Sequence, residues 1–203
     1  MITIARQGTF RITMTKLTRK QQIDKQAAVL FKTKGYAASS MRDLAQVLGI
    51  EAASLYSHIK SKEEILRRIC FRMAEAFFTA QKQIESLHSE PKLQLKKAMA
   101  VHLKVIAGSV DEAAVFFHEW RHLSEPYLSE FLVMRTDYER KFIAILEQGI
   151  ATKVFRAVDA KLTAMTILSA INWVHRWYRS DGKLSIEQIS EQLAEMMIRG
   201  VKS

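Results

Sequence analysis

From Leu17 onward apolar residues recur at intervals of three and four, the period of an amphipathic helix. Ile23, Ala27, Leu30 and Phe31 share one face of a first helix, and Gly35 is its stop. Ser40, with Asp43 three positions on, is an acidic variant of the capping box. It opens a short second helix through Met41, Leu44, Ala45 and Leu48 to Gly49. A third short helix is expected from about Ala52 to His58. Ser61 and Glu64 form another capping box, ahead of a long helix through Ile65, Ile69, Met73, Phe77 and Ile84. Pro91 occupies a first-turn position in the next helix. Ser109 with Glu112 caps the one predicted to carry His118 and Trp120. After Ser124 and Pro126, a helix runs through Phe131, Met134, Tyr138, Phe142, Ile145 and Leu146 to Gly149. Asp159 opens another through Leu162, Met165, Ile171 and Trp173. Ser185 with Gln188 caps the last, which carries Ile186, Ile189, Leu193 and Met197. No period-2 segment interrupts the pattern, so the predicted fold is all-α with about nine helices. Residues 1–14 show neither period nor caps and read as an arm, disordered or merely irregular.

Composition narrows the class. The 203 residues are 48% hydrophobic and 26% charged, as in a soluble globular chain rather than a disordered one. One Cys excludes a disulfide framework or Cys-rich zinc module and fits the cytoplasm. No apolar run approaches the roughly 18 residues of a membrane span, and the first residues lack a signal peptide's apolar core. The formal charge of +10 is unevenly placed. Residues 1–62 hold 11 basic and 3 acidic residues, a net +8, while 63–203 hold 20 and 18, a net +2. A basic head (15–62) therefore precedes a nearly balanced body (63–203). Such a head suits an anionic partner, or is simply a solvated basic face.

The stretch Ser40 to Lys62 decides in favour of a partner. Two short helices joined by a Gly-containing turn make a helix-turn-helix, whose second helix enters a major groove. Ala45 is small where the helices cross, Gly49 takes the positive φ of the turn, and Leu55 points back to the core. Exposed on the second of these helices are Ala52, Ala53, Ser54, Tyr56 and His58. The small residues admit base edges, while Tyr56, His58, Lys60 and Lys62 reach phosphates. Ser40 and the N-terminus of the preceding helix supply another phosphate contact.

The segment LFKTKGYAASSMRDLAQVLGIEAASLYSHIKSKEEIL resembles the N-terminal domain of TetR-family transcriptional regulators. It shows their aromatic-Gly-Tyr helix end, LA–LG pair, and LY–H followed by K. The resemblance covers about residues 17–66. It implies a cytoplasmic homodimer with one recognition helix per major groove of a palindromic double-stranded operator, released by a small molecule bound in a helical C-terminal domain. It also implies base or adjacent backbone contacts for Arg42, Ala52, Ser54 and Tyr56, and phosphate contacts for His58 and Lys62. Ala52 departs from members with a long polar side chain there, so thymine-methyl contact or shape readout takes the place of direct hydrogen bonding.

One string competes. His118-Glu119-Trp120-Arg121-His122 matches HExxH, which on a helix places two histidines on one face for zinc, with the glutamate as general base. That is the alternative reading, a zinc-dependent hydrolase. Against it, LSEPYL follows where the extended motif needs glycine and a third histidine, and only Glu139 is offered as a further ligand. Glycine-rich phosphate loops and a GxSxG elbow are also missing. The chain is therefore read as no enzyme, with no catalytic residue, metal or cofactor assigned.

In the body, aromatic residues concentrate at 116–131 and 173–178. They are either ordinary core or, with Met99, Met134 and Met165, the lining of a ligand cavity. Phe117, Trp120, His122, Tyr127, Phe131, Trp173, Arg176 and Trp177 are the candidate effector-binding residues, and Arg179 and Lys183 are available to an anion. The segments EWRHLSEPYLSEF and INWVHRWYRSDGKLSIEQI resemble a TetR subgroup that responds to acyl-coenzyme A thioesters of fatty-acid, steroid or aromatic-acid degradation. The face of Ile186, Ile189, Leu193, Met196 and Met197 is wider than one neighbouring helix requires. It is either intramolecular core or, with the 159–179 helix and a twofold mate, a four-helix dimer interface, which the DNA-binding reading favours.

Overall fold

In a computed structural model, residues 18–85 and 89–202 are described, and the arm expected over residues 1–14 lies outside them. Nine α-helices follow one another among these residues: α1 (Arg19–Lys34), α2 (Met41–Leu48), α3 (Ala52–Tyr56), α4 (Lys62–Glu85), α5 (Pro91–Gly108), α6 (Val110–His118), α7 (Tyr127–Ala151), α8 (Ala160–Asn172) and α9 (Ile186–Val201). Two 3-10 turns, Trp120–His122 and Trp173–Arg176, lie between them. The one extended pairing among the described residues is an isolated bridge between Phe155 and Lys202.

Local chemistry fixes most helix ends. Ser40 Oγ accepts from the Asp43 N–H at 3.1 Å, and the Asp43 carboxylate accepts from the Ser40 N–H at 2.8 Å. Ser185 and Gln188 repeat this reciprocal arrangement at α9, and Thr18 and Gln21 at α1. Asp159 caps α8 through the Leu162 N–H at 2.7 Å, and Pro91 opens α5. Ser109 departs from expectation, since its side chain caps nothing and Glu112 turns instead to Arg72. Three helices end earlier than the periodicity predicts. α3 stops at Tyr56, α6 at His118 and α8 at Asn172, so Trp120 and Trp173 fall in 3-10 turns rather than helices. At the first of those turns, Leu123 is buried, and i→i+3 bonds from the His122 and Leu123 N–H groups tighten the chain to place it there.

α4 is the shared spine. Ile65, Leu66, Ile69, Cys70, Met73, Ala74 and Phe77 are all buried along it, against α1 at its start and α5, α6 and α7 beyond. Burial pushes the Cys70 thiol up to about 12, so it is packing rather than chemistry. α1 is tied to the spine by charge. Asp24, 1% exposed, accepts from Arg68 at 2.6 and 3.2 Å and from Arg72 at 2.8 Å. Arg72 also reaches Glu112 of α6 at 2.9 Å, and Arg68 reaches Glu64 at 2.6 Å. α9 lies along α5 with Ile186, Ile189, Ala194, Ile198 and Val201 buried. The face expected to meet a second subunit through Ile186 and Ile189 is thus largely spent within the chain. Met196 alone of that set is open, at 66% exposure.

Gly149, near the end of α7, is required by close approach. A Cβ there would lie 2.1 Å from the Phe155 ring, and Phe155 is buried beneath the C-terminus that Arg156 binds through the Val201 and Gly200 carbonyls. Gly149→Ala is expected to destabilise by about 1–3 kcal/mol, the usual cost of overpacking. In a Phe155→Ala background the same change should cost almost nothing. Denaturant unfolding of the two single variants and the double variant measures this, and equal costs in both backgrounds would refute the clash.

Candidate nucleic-acid interface and ligand cavity

The head presents α2 and α3 on a floor made by α1 and the start of α4. Leu44, Ala45, Leu55 and Ile59 are buried in that floor, and Gly49 sits at φ +63°, the left-handed conformation the turn demands. The opposite side is open. Arg42, Ala53, Ser54, Tyr56, His58 and Lys60 are exposed, Tyr56 by 55%, while Ala52 is half-buried against the core. Ser40 is exposed at the N-terminus of α2, where Asp43 holds its hydroxyl and backbone. Lys34 pairs with Asp43 at 2.8 Å, and these bonds bring the Asp43 carboxyl down to about 2. Lys62 occupies a different kind of place. Its ammonium donates to the Tyr36 and Ser39 carbonyls, both at 2.7 Å, and lies 4.2 Å from the Tyr36 ring centroid. Desolvation lowers its pKa. The lysine therefore pins the turn immediately before Ser40.

In the body, Ala74, Phe77 and Phe78 of α4, Phe116 and Phe117 of α6, and residues of α5, α7 and α8 enclose a cavity of about 360 Å³. Its walls mix apolar side chains, the expected Met134 and Met165 included, with Arg135, Thr136, Glu139 and Ser169 and a hydrogen-bonded polar line. The Asn172 Oδ1 is an acceptor, so His102 Nε2–H donates to it at 2.9 Å, and His102 Nδ1 accepts from the Tyr138 hydroxyl at 3.0 Å. With the ring committed in this sense, the Asn172 carboxamide N–H groups are the donors left for a ligand carbonyl. The Asn172 backbone carbonyl takes His175 Nδ1–H at 2.5 Å, and His175 Nε2 in turn faces His118 Nε2 at 3.0 Å.

The candidate effector residues disperse. Phe117 lines the cavity, and Phe131 is buried behind Phe116. Trp120 packs on Phe131, and Tyr127 on Phe71. Trp173 and Trp177 are 56% and 49% exposed, and Arg176 lies over the Trp173 ring. Arg179 is engaged by Asp181 at 3.1 Å. His122 stacks on Tyr36 of the head with ring centroids 5.1 Å apart. The HExxH string is therefore split, because the helix ends inside it. His118 turns to His175 and His122 to Tyr36, and no cluster of three potential ligands exists among the described residues. The zinc-hydrolase reading has no geometric support. His102, Tyr138 and Asn172 are not among the residues the sequence singles out for the site, and the one signal it carries for them is a histidine set within the apolar run MAVHLKVI.

Burial holds His102 down to about 3, with the Asn172 hydrogen bond opposing only in part. Its unfolded value is near 6.5, so as pH falls the unfolded chain takes up the proton first. Stability is expected to drop between about pH 6.5 and 3, with a contribution of up to about 1.4 kcal/mol per pH unit. His102→Gln should flatten that slope in urea unfolding measured at several pH values. An unchanged slope would show that His102 is not the group responsible.

The arrangement can be compared with known proteins. Residues 23–69 match the family described as bacterial regulatory proteins, tetR family, and residues 88–201 the tetracyclin repressor-like C-terminal domain. The HTH-type transcriptional repressor KstR2 of Mycolicibacterium smegmatis is 28% identical over 187 residues, 91% of each chain. The structure of KstR2 of Mycobacterium tuberculosis, a ketosteroid transcriptional regulator, matches with a TM-score of 0.87 at 25% identity, over 95% of this chain and all of that one. PfmR from Thermus thermophilus matches at 0.79 with 32% identity, covering 90% of this chain and 100% of PfmR. AibR, in complex with isovaleryl coenzyme A and operator DNA, shares the fold at 0.77 with 24% identity, over 91% and 98% of the two chains.

Proposed function

The chain belongs to the TetR family of bacterial regulatory proteins, and we propose that within it the protein is a homodimeric, sequence-specific repressor released by a small molecule. The observation that carries this is the layout of α4. It begins under the exposed helix-turn-helix, and its middle, at Ala74, Phe77 and Phe78, forms a wall of the cavity. On this reading Ala52, Ala53 and Ser54 approach base edges, Arg42 and Tyr56 contact bases or adjacent backbone, and Ser40, His58 and Lys60 hold phosphates. Lys62 acts by fixing the turn before α2. The protein works where its DNA is, in the cytoplasm, and no helix among the described residues is long and apolar enough to cross a membrane.

The effector fits the acyl-coenzyme A class. A cavity of about 360 Å³ suits the acyl or ring portion, with Asn172 placed to donate to its carbonyl. The coenzyme portion must then extend outside. The regulators similar in fold include one of ketosteroid response and one bound to isovaleryl coenzyme A, which supports a thioester without naming its acyl group. The second subunit is placed on α8. Leu162, Met165 and Trp173 are exposed along that side of the body, and Met196 is exposed on α9. A DNA-binding head that reads half a palindrome gives this apolar strip a twofold partner.

Selection from random duplex DNA is expected to return an inverted repeat. Arg42→Ala and Tyr56→Ala should each weaken binding to it about 5- to 150-fold, the range of one good contact, with unchanged thermal melting. Binding should also fall steeply with salt. Wild-type affinity in both variants, or a flat salt response, would refute the interface. For the dimer, Leu162→Glu with Met196→Glu should halve the mass measured by light scattering and leave the helical circular dichroism intact. A persistent dimer would move the interface elsewhere.

A further inference from the structure

Trp120 carries two cations. The Arg121 guanidinium carbon lies 4.4 Å from its ring centroid and that of Arg135 4.7 Å. Each gains from the ring quadrupole, yet they repel one another, and desolvation followed by Arg121 lowers the Arg135 pKa. Arg68 and Arg72 meet Asp24, Arg140 meets Asp137 and Arg199 meets Glu195, whereas Arg67 and Arg176 each lie singly over a ring, Tyr127 and Trp173. Among the described residues, neither Arg121 nor Arg135 has a carboxylate within salt-bridge distance. Two forked donors against one indole ring, their charge offset only through space by Glu139 on the helix of Arg135, suit a phosphoryl group better than a point cation would. Arg135 also lines the cavity, so this charge is contiguous with the apolar space.

The same turn touches the head. Two residues past Trp120, His122 stacks on Tyr36, and the Ser124 N–H donates to Glu63 at 3.1 Å, with the Ser124 hydroxyl on the same carboxylate oxygen. Tyr36 begins the turn that Lys62 pins ahead of Ser40 and α2. The stretch 120–124 therefore has a cationic side at the cavity's edge and a contact side on the DNA-binding head.

We propose that Trp120, Arg121 and Arg135 form a phosphate-binding subsite at the edge of the cavity, and that its occupancy is passed to the head through His122 stacked on Tyr36. This rests on the ligand-responsive reading of the cavity above and names the chemistry of the effector's exposed end. A diphosphate or ribose phosphate satisfies both guanidinium forks, and the acyl part behind it fills the cavity.

Calorimetric titration of the full chain with pyrophosphate and with adenosine 3′,5′-bisphosphate tests the subsite without any operator. Both probes should bind saturably, and acetate at the same ionic strength should not. Arg121→Gln with Arg135→Gln should weaken the probes at least about tenfold with melting unchanged. If that pair melts early, Arg121→Lys with Arg135→Lys keeps the charge and should still weaken them severalfold. No saturable binding, an equal response to acetate, or unchanged affinity in both variant pairs would overturn the subsite. His122→Ala should bind the probes as wild type does. The bisphosphate should weaken operator binding severalfold in wild type and leave it unchanged in His122→Ala, and an equal effect in the two would overturn the route to the head. A chain that selects no DNA sequence defeats the repressor reading, while the titrations still decide the subsite.

Discussion

The position of the head depends on Asp24. A carboxylate 1% exposed among helices is tolerable only because two arginines of α4, one turn apart, give it three hydrogen bonds. Removing one partner from such a buried group costs about 3–5 kcal/mol. The network extends through Arg72 to Glu112 of α6 and through Arg68 to Glu64, whose other oxygen accepts the Lys60 N–H at 2.8 Å. One side chain of α1 therefore fixes its own helix against the spine, the spine against α6, and the loop that leaves α3. The apolar contacts of Ile23, Ala27 and Phe31 supply the bulk attraction there. The charges decide the register, because a slide of one residue would strand Asp24 in an apolar seam.

The cavity works by the opposite principle. Its hydrogen-bonded chain of His102, Tyr138 and Asn172 is neutral, while Arg135 and Glu139 bring charge to another part of the lining. His102 is held unprotonated by burial, and the same burial raises the Tyr138 hydroxyl. With both groups kept from ionising, the chain Tyr138–His102–Asn172 can bond only in one sense. Ligand recognition inside the body then requires no buried counter-ion, and a neutral carbonyl is the natural guest. Charge enters through Glu139 and through Arg135, which meets Trp120 beside Arg121. An amphiphilic effector, apolar at one end and anionic at the other, matches this division.

Much of this was legible in the chain. The 3.6 period placed the helices, because each buries one stripe against its neighbours, mostly α4 or α5 in the body and α1 in the head. Ser40, Asp159 and Ser185 marked their starts, because capping is a local bond between residues close in sequence. The head was clearest of all, since small residues, Gly49 and an uncompensated charge sit within one short segment. The cavity was not legible. It is assembled from α4, α5, α6, α7 and α8, whose side chains meet only through tertiary packing. A count of aromatic residues favours Trp173 and Trp177, yet α8 ends at Asn172 and the chain turns both outward. The HExxH string misled for the same reason. An i,i+4 argument holds only while a helix continues, and burial of Leu123 ends this one after His118. Whether α9 faces its own chain or a second one was likewise undecidable from amphipathicity, which measures how wide a face is and not what covers it.

These two parts differ in strength, and the difference indicates how they can be coupled. The Asp24 network is buried and multiply bonded. By contrast Lys32–Asp111, with side chains 39% and 45% exposed, and the exposed Glu63–Ser124 contact lie at the surface. Exposed pairs are worth about 0–1 kcal/mol each. A typical allosteric coupling is about 1–3 kcal/mol, enough to reset contacts of the second kind and too little to break the first. A ligand that favours one arrangement of α6 and the 120–124 stretch thus leaves α1 seated on α4. On the proposed ligand-released reading it changes the outer contacts around that pivot, and the head tilts without coming loose. In a dimer reading successive major grooves about 34 Å apart, a small tilt about a fixed pivot near Asp24 is multiplied by the distance to α3. On that reading the stiffness of the buried ion network is what converts a weak signal at the surface into a misfit on DNA.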